Sequence, residues 1–337
     1  MGSNGKLFTY PLFILLCSFL FVHSESLASS PVTKDKKVLV VMSYNKKNTS
    51  ESRIREELDE RLRGRQVHYF YLDSKQHLAQ APKKAEEAYK LYLQLQPDAV
   101  ITVDDNSQAL FVLPYLKDKV KTPIVFCGVN NSADQYGYPT AHITGVLEKK
   151  HYHEGISFAQ LIDPNIKKIG VIYRDNPSNH TNVSQIKKEE PEYPARIVSL
   201  VSVTNVDDTK EAILRFNTEV DAILVLNLSG IRDQDRLLEG NEADQLVVKL
   251  ATKPTIAADK WEIESGILCG VIKSNKEQGR LAAEKLTQIW QGADIATLPV
   301  TQNRNGSRYL NIITLKELGL NLNPLAVLGT HIVTHKK

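Results

Sequence analysis

At 337 residues the chain is long for one domain and sufficient for two. Its hydrophobic share of 42% and charged share of 24% are typical of a folded protein and exclude extended disorder. The formal net charge of +3 is too small to indicate a nucleic-acid partner, because such proteins present a strongly basic surface.

The first 28 residues have the layout of a cleaved secretory signal peptide. Lys6 precedes an apolar run over residues 7–22, and small residues that suit cleavage follow between 24 and 28. Pro11 interrupts the run, which is short for a membrane span. We therefore expect residues 1–28 to be removed and the protein to be periplasmic. An uncleaved membrane anchor is the alternative.

From residue 36 onward, apolar runs alternate with amphipathic stretches. The first half predicts strands at residues 38–42, 67–72, 99–103, 124–127 and 142–147, with helices at 50–62 and 82–94. The second half predicts strands at 168–173, 195–201, 222–226, 255–258, 266–272 and 309–313, with helices at 152–162, 182–189, 207–216, 242–250, 276–291 and 315–318. Residues 174–181 are expected to form a loop and residues 330–337 a frayed end. This alternation predicts two doubly wound parallel α/β sheets.

Beyond the signal segment two cysteines remain, Cys127 and Cys269. Both lie in apolar runs that predict strands in different halves of the chain, which favours buried free thiols. A disulfide is the alternative, since an exported protein meets an oxidising compartment.

Four segments carry a more specific signal: PDAVITVDDNSQALF, TPIVFCGVNN, KKIGVIYRDNPSN, and EQGRLAAEKLTQIWQGADIATLPV with the later LNIITLKELGLNL. Together they resemble the substrate-binding proteins of ABC transporters, a family with the type I periplasmic binding protein fold. The resemblance covers about residues 36–328. It implies a first lobe of residues 36–146 plus 275–300 and a second of 147–273 plus 305–328, joined by hinge segments near 145–147 and 272–275. It also implies a clamp that closes on a small molecule, with aromatic amino acids among the ligands, and passes it to a membrane permease.

Three loops depart from the pattern of that family. Ser43-Tyr44-Asn45-Lys46 stands where many members carry a His-Pro pair, Asp104-Asp105-Asn106 is more acidic than the common Gly-Thr-Pro-Ala, and Asn130-Asn131-Ser132 replaces an Asp-Pro. The resemblance therefore implies the fold and the binding role, whereas the identity of the ligand does not carry over.

Candidate binding residues follow from the fold, because ligands of parallel α/β domains bind where strands end. The polar and aromatic residues at predicted strand ends are Tyr44, Asn45, Asp104, Asp105, Asn106, Ser107, Asn130, Tyr173, Asn176, Asn227, Ser229 and Asp259. For each, a helix cap, a loop contact or packing within the lobe is the alternative role.

If the ligand is an amino acid, these residues supply the three kinds of contact that it needs. Asp259 or Asp105 would pair with its ammonium group, and the N–H groups and hydroxyl at Asn106-Ser107 would hold its carboxylate, because a helix is expected to start there. Tyr44 or Tyr173 would stack on an apolar or aromatic side chain.

Metal binding and catalysis find little support. His151-Tyr152-His153-Glu154 contains zinc-type donors, but at the start of a helix residues two apart point in different directions. The chain has no Gly-x-Ser-x-Gly motif and no Gly-rich phosphate loop. We expect no metal site, no cofactor and no enzymatic activity.

Two functions fit the sequence. The first is a monomeric, exported solute-binding protein that delivers a small polar, amino-acid-like molecule to an ABC permease. The second is a ligand-sensing module that reports to a separate membrane signalling protein, such as a sensor kinase.

Overall fold

The computed structural model describes residues 1–2 and 36–335 of the chain. The expected signal peptide at residues 1–28 therefore falls almost entirely outside the described residues. Within the described part, no helix is both long and apolar enough to cross a lipid bilayer.

Strands and helices alternate along residues 37–333. The strands are β1 (Lys37–Met42), β2 (Gln66–Tyr71), β3 (Ala99–Val103), β4 (Ile124–Val129), β5 (Ile143–Leu147), β6 (Lys168–Arg174), β7 (Arg196–Val203), β8 (Ala222–Val225), β9 (Arg232–Asp233), β10 (Arg236–Leu237), β11 (Thr255–Ala257), β12 (Cys269–Lys273), β13 (Thr301–Gln302), β14 (Gly306–Asn311) and β15 (Thr330–Val333). The α-helices are α1 (Thr49–Arg61), α2 (Ala81–Leu95), α3 (Asp104–Ser107), α4 (Tyr152–Ile162), α5 (Pro177–Glu189), α6 (Val206–Glu219), α7 (Gly240–Leu250), α8 (Lys260–Glu264), α9 (Asn275–Trp290), α10 (Ile312–Glu317) and α11 (Pro324–Val327). A π-helix at Gln108–Leu116 follows α3 directly.

The first sheet is parallel throughout and has the strand order β13-β5-β4-β3-β1-β2. Its strand β1 is an almost unbroken apolar run, so alternate residues serve two cores. Val38 and Val40 pack with α1 and α9, whereas Leu39 and Val41 pack with α2 and the π-helix. We call this sheet with α1, α2 and α9 the first lobe.

The second sheet has the order β15-β14-β12-β11-β8-β6-β7, and only the β12–β14 pair is antiparallel. Helices α4 and α5 cover one face through residues such as Ile156 and Ile186. Helices α6 and α7 cover the other through residues such as Phe216 and Val247. We call this sheet with α4 to α8 the second lobe.

The chain passes between the lobes three times, at residues 148–151, at Ser274 and at residues 303–305. We call these the crossing segments. Two contacts tie them together: the side chain of Asn303, which is 3% exposed, bonds to Lys149, and Glu148 forms a buried ion pair with Lys273 at 2.8 Å. A small movement of one segment must therefore be shared by the others.

The predicted fold class, two doubly wound α/β lobes, is confirmed by this architecture. The expected frayed end at 330–337 is wrong for residues 330–333, because Thr330–Val333 forms β15 and pairs with β14 along its whole length. Residues 336–337 lie outside the described residues. Cys127 and Cys269 are buried free thiols in different sheets, as the sequence predicted.

The expected loop at residues 174–181 is also wrong in part. Helix α5 begins inside it at Pro177, a residue that suits the first helical position. The Asn176 side chain caps this helix by accepting a hydrogen bond from the N–H of Asn179 at 2.9 Å. A proline and an asparagine that look like loop residues therefore start the helix.

Candidate functional site

The carboxyl ends of β1 and β3 are joined by two serines. The Ser43 hydroxyl donates to the carbonyl of Val103 at 2.6 Å and accepts the N–H of Ser107 at 2.8 Å. Both serines are fully buried. The N–H of Ser107, which the sequence suggested for a ligand carboxylate, is thus already engaged within the first lobe.

Asp104 and Tyr44 form the centre of this strand-end region. The Tyr44 hydroxyl donates to Oδ1 of Asp104 at 3.0 Å, and the same oxygen accepts the N–H of Asp105 at 2.7 Å. Asp104 has φ of +72°, a left-handed conformation that costs energy for most residues with a side chain. Its other oxygen, Oδ2, accepts no hydrogen bond from the described residues. The residue is only half-buried, so a ligand could reach this oxygen. Asp104 therefore has one oxygen held in place and one available.

A second carboxyl, that of Glu51 on α1, holds the loop after β1 in place by hydrogen bonds. Its two oxygens accept the N–H groups of Ser43 and Tyr44 at 2.9 and 3.0 Å. Burial, with a smaller effect of the Asp104 charge, raises the pKa of Glu51 to about 8, even though these N–H groups favour the ionised form. Burial, followed by the charges of Asp105 and Glu148, raises the pKa of Asp104 to about 7. Both carboxyls therefore lie in surroundings that favour their neutral forms.

Asp105 holds the loop after β4 in place. Its Oδ2 accepts the N–H of Asn130 at 2.9 Å, and its Oδ1 accepts the N–H of Asn131 at 3.2 Å and the hydroxyl of Tyr136 at 2.7 Å. The structure thus brings the predicted pair Asp105 and Asn130 together. Both Asp105 oxygens have partners within the lobe.

Asn45 and Asn106 connect the region to the loop after β2. The Asn45 amide donates to Asp73 and Gln76, each at 3.1 Å, and the Asn106 amide donates to the Ser74 hydroxyl at 2.9 Å. In the same loop, the Lys75 ammonium lies 5.7 Å from the centre of the Tyr44 ring.

Two predicted residues of the second lobe contact the buried Asn179, and a third contacts the neighbouring Arg174. Asn176 accepts the N–H of Asn179, and the carbonyl of Asn227 accepts the Asn179 side-chain amide at 2.9 Å. The carbonyl of Ser229 accepts a hydrogen bond from Arg174. Tyr173 differs from these, since it lies within β6 and packs against the core beneath α4 and α5.

Asp259 is engaged at the crossing segments. It forms an ion pair with Lys150 at 2.5 Å, and it begins α8 in a reciprocal cap with Glu262. Burial by itself would raise the pKa of Asp259, but the charge of Lys150, followed by Lys273 and Lys75, brings the pKa below its usual value. Because Lys75 belongs to the first lobe, its influence places the strand ends of the two lobes within electrostatic reach of each other.

A direct hydrogen bond also joins the lobes. The Thr181 hydroxyl, on the first turns of α5, donates to Oδ1 of Asn131 at 3.0 Å. Asn131 in turn donates to the Tyr136 hydroxyl at 2.9 Å, and thereby touches the Asp105 network. The loop after β4 and the helix after β6 therefore meet.

Several residues of this region were not candidates in the sequence: Ser43, Glu51, Lys75, Glu148, Lys150 and Thr181. Ser43 adjoins a predicted residue, so the strand-end rule could have included it. Glu51 and Thr181 lie inside amphipathic helices, and no local pattern marks them as facing a strand end. Among the described residues no group of His, Cys, Asp and Glu side chains has the arrangement of a metal site.

Comparison with known proteins decides the family. A family model described as ABC transporter substrate binding protein matches residues 79–329. The chain belongs to this family. No curated protein matches the chain.

Solved structures show that this family member has the type I periplasmic binding protein fold. The ligand-free, open structure of CD0873 from Clostridium difficile, a substrate binding protein with adhesive properties, is 16% identical, with 89% of this chain and 100% of that chain covered and a TM-score of 0.70. An ABC domain from Streptococcus pneumonia in complex with L-Trp is 17% identical, with 89% and 100% covered and a TM-score of 0.60. A conserved domain protein from Vibrio cholerae is 17% identical, with 89% and 99% covered and a TM-score of 0.59. At such identities the likeness shows the fold alone.

Proposed function

We propose that this chain is an exported, monomeric binding protein whose lobes close on a small polar, amino-acid-like molecule and deliver it to an ABC permease. The lobes would be residues 36–146 plus 275–300 and residues 147–273 plus 305–328, with Leu147 and β13 completing the first sheet and β15 the second. The observation that carries the proposal is the hydrogen bond from Thr181 to Asn131, because it joins the helix after β6 to the loop after β4, at strand ends of the kind where ligands of α/β domains bind.

The chemistry of the strand ends supports a ligand with a cationic group. Asp104 offers its Oδ2, which has no donor among the described residues, while the Tyr44 hydroxyl holds its Oδ1. Further carboxyls lie beside it. Asp105 and Asp259, the two residues that the sequence favoured, already have partners. We therefore assign the ammonium contact to Asp104, with Tyr44 beside it and with Asp105 and Asn130 shaping the loop. Asn45, Asn106, Ser107, Asn176, Asn227 and Ser229 would support the loops around the ligand, and Tyr173 would lie behind them.

The neighbour bound to L-Trp makes aromatic amino acids reasonable first compounds to test. The test is a thermal-shift screen of amino acids, purines and sugars, followed by small-angle scattering. A true ligand at a hundred times its dissociation constant should add about 2.7 kcal/mol to the free energy of unfolding, and should reduce the radius of gyration as the lobes close. A screen in which no compound raises the melting temperature would refute the proposal.

Delivery to a permease is tested in the source cells. Deleting the gene should abolish uptake of the compound found in the screen. Unchanged uptake together with a lost cellular response to that compound would instead favour the sensing module.

A further inference from the structure

A cavity of about 500 Å³ lies beside the crossing segments. Its walls come from residues 149–154, from the C-terminal half of α5 with the turn that follows it, and from residues 302–304. The volume lies within the range of small-molecule sites, roughly 300 to 1,000 Å³. An occupant would therefore contact two crossing segments and the second lobe together.

Lys149, the half-buried lysine of this cavity, has a firmly held backbone. The buried Asn303 accepts the N–H of Lys149 at 2.7 Å and donates to its carbonyl at 3.0 Å. Next to it, the Gln185 side chain donates to the carbonyl of Lys150 at 2.8 Å. The base of the Lys149 side chain is thus positioned before any ligand arrives.

The acidic and basic groups of the cavity differ in how they are paired. Both oxygens of Glu189 accept hydrogen bonds, from Gln185 at 2.9 Å and from Tyr193 at 3.2 Å, and Glu154 lies 3.5 Å from the ring nitrogen of His151. In contrast, the charged ends of three cations make no hydrogen bond or ion pair with any described residue. These three are Lys149 inside the cavity and Lys188 and Arg304 at its exposed rim, where Glu192 is the remaining acid.

Burial lowers the pKa of the Lys149 ammonium, Glu189 opposes this effect, and Lys188 adds to it. A desolvated ammonium without a partner gains strongly from a nearby carboxylate. Asp105 is among the charges that act on Lys149, so the cavity lies within electrostatic reach of the strand-end region.

We infer that this cavity is the subsite for the anionic group of the small ligand, with Lys149 as its partner and Lys188 and Arg304 drawing the anion inward. The inference rests on the proposed function and extends it: the ligand is a zwitterion whose carboxylate group pairs with Lys149. It also replaces the earlier expectation for Ser107, whose N–H is bound by Ser43. Since the cavity lies on the crossing segments, an anion there would stabilise one arrangement of the lobes.

The experiment compares three amino acids with the amines that lack their carboxylate: L-tryptophan with tryptamine, L-tyrosine with tyramine, and L-leucine with isoamylamine. Each is titrated calorimetrically into the wild-type protein and into the variants Lys149→Met, Lys149→Arg and Lys187→Met. Methionine keeps the length of the side chain without its charge. Lys187 is exposed on α5 outside the cavity, so its variant controls for the loss of one positive charge.

At least one amino acid should bind the wild type about 10 to 100 times more tightly than its amine, because a hydrogen bond to a charged group changes the affinity by about this factor. Lys149→Met should lower the affinity for the amino acid by a similar factor and hardly change the affinity for the amine. The affinities of Lys149→Arg and Lys187→Met should remain within about threefold of that of the wild type. The unliganded Lys149→Met protein should melt no earlier than the wild type, because it no longer buries an unpaired ammonium; this checks its folding.

Equal binding of amino acid and amine, or undiminished amino-acid binding by Lys149→Met, would overturn the subsite while leaving the proposed function in place. Absence of binding by all six compounds would also overturn it. In that case the wider screen for the proposed function decides separately whether the protein binds another small molecule.

Discussion

Replacing Asp104 with asparagine tests the electrostatic account of the strand ends. The amide oxygen can still accept the Tyr44 hydroxyl and the N–H of Asp105, and asparagine tolerates the left-handed backbone well. The variant therefore removes one titrating group and keeps its neighbours. Those neighbours are Asp105, whose charge acts most strongly on Asp104, Tyr44 on the loop after β1, Glu51 on α1, and Glu148 after β5 with its partner Lys273.

The sign follows from the raised pKa of Asp104. Between the usual value of 3.8 and about 7 the unfolded chain has released its proton while the folded protein retains it. The stabilising contribution is therefore complete below pH 4 and is lost as the pH rises towards 7. A pKa difference of about three units corresponds to about 4 kcal/mol in the free energy of unfolding.

The assay is urea unfolding followed by tryptophan fluorescence at several pH values between 4.5 and 8. Wild-type stability should fall relative to Asp104→Asn as the pH rises, by up to about 4 kcal/mol at pH 8. Asp98→Asn is the control of opposite sign: the N–H of Lys37 and the Lys36 ammonium outweigh burial and lower the pKa of Asp98, so this variant should lose stability at neutral pH. Parallel profiles for the wild type and Asp104→Asn would refute the reasoning.

Three further outcomes follow from contacts between and within the lobes. Thr181→Val removes the donor that joins the lobes and should weaken ligand binding about two- to tenfold, whereas Thr181→Ser should not; equal dissociation constants would contradict this. Lys273→Met leaves Glu148 buried without its ion partner and should cost about 3 to 5 kcal/mol in urea unfolding, with part of the loss recovered when Glu148→Gln is added. Gly279→Ala places a methyl group 2.5 Å from a carbonyl oxygen of α1 and should lower the free energy of unfolding by about 1 to 3 kcal/mol; an unchanged value would show that α1 and α9 can separate.

Much of the fold could be predicted because it depends on local pattern. The apolar run of β1 indicated a strand covered on both faces, and the four-residue spacing of Ile54, Leu58 and Leu62 indicated the helix that covers it. One error occurred where a distant partner decides: Thr330–Val333 contains three β-branched residues, but so short a segment becomes a strand only by pairing with β14. The other error, at the start of α5, came from a local cap that looks like a loop.

The candidate site, too, could be predicted from the sequence only in part. The sequence by itself determined which loops end the strands, because strand ends are set by apolar runs and by the residues that interrupt them. This placed Tyr44, Asp104 and Asp105 in one region. Only the tertiary structure decided what each carboxylate does, because some carboxylate oxygens accept hydrogen bonds within the protein and others remain available to a ligand. Asp105 holds the loop after β4, Asp259 pairs with Lys150, and Asp104 keeps one oxygen without a donor among the described residues. Such pairing depends on distances across the fold rather than on spacing along the chain.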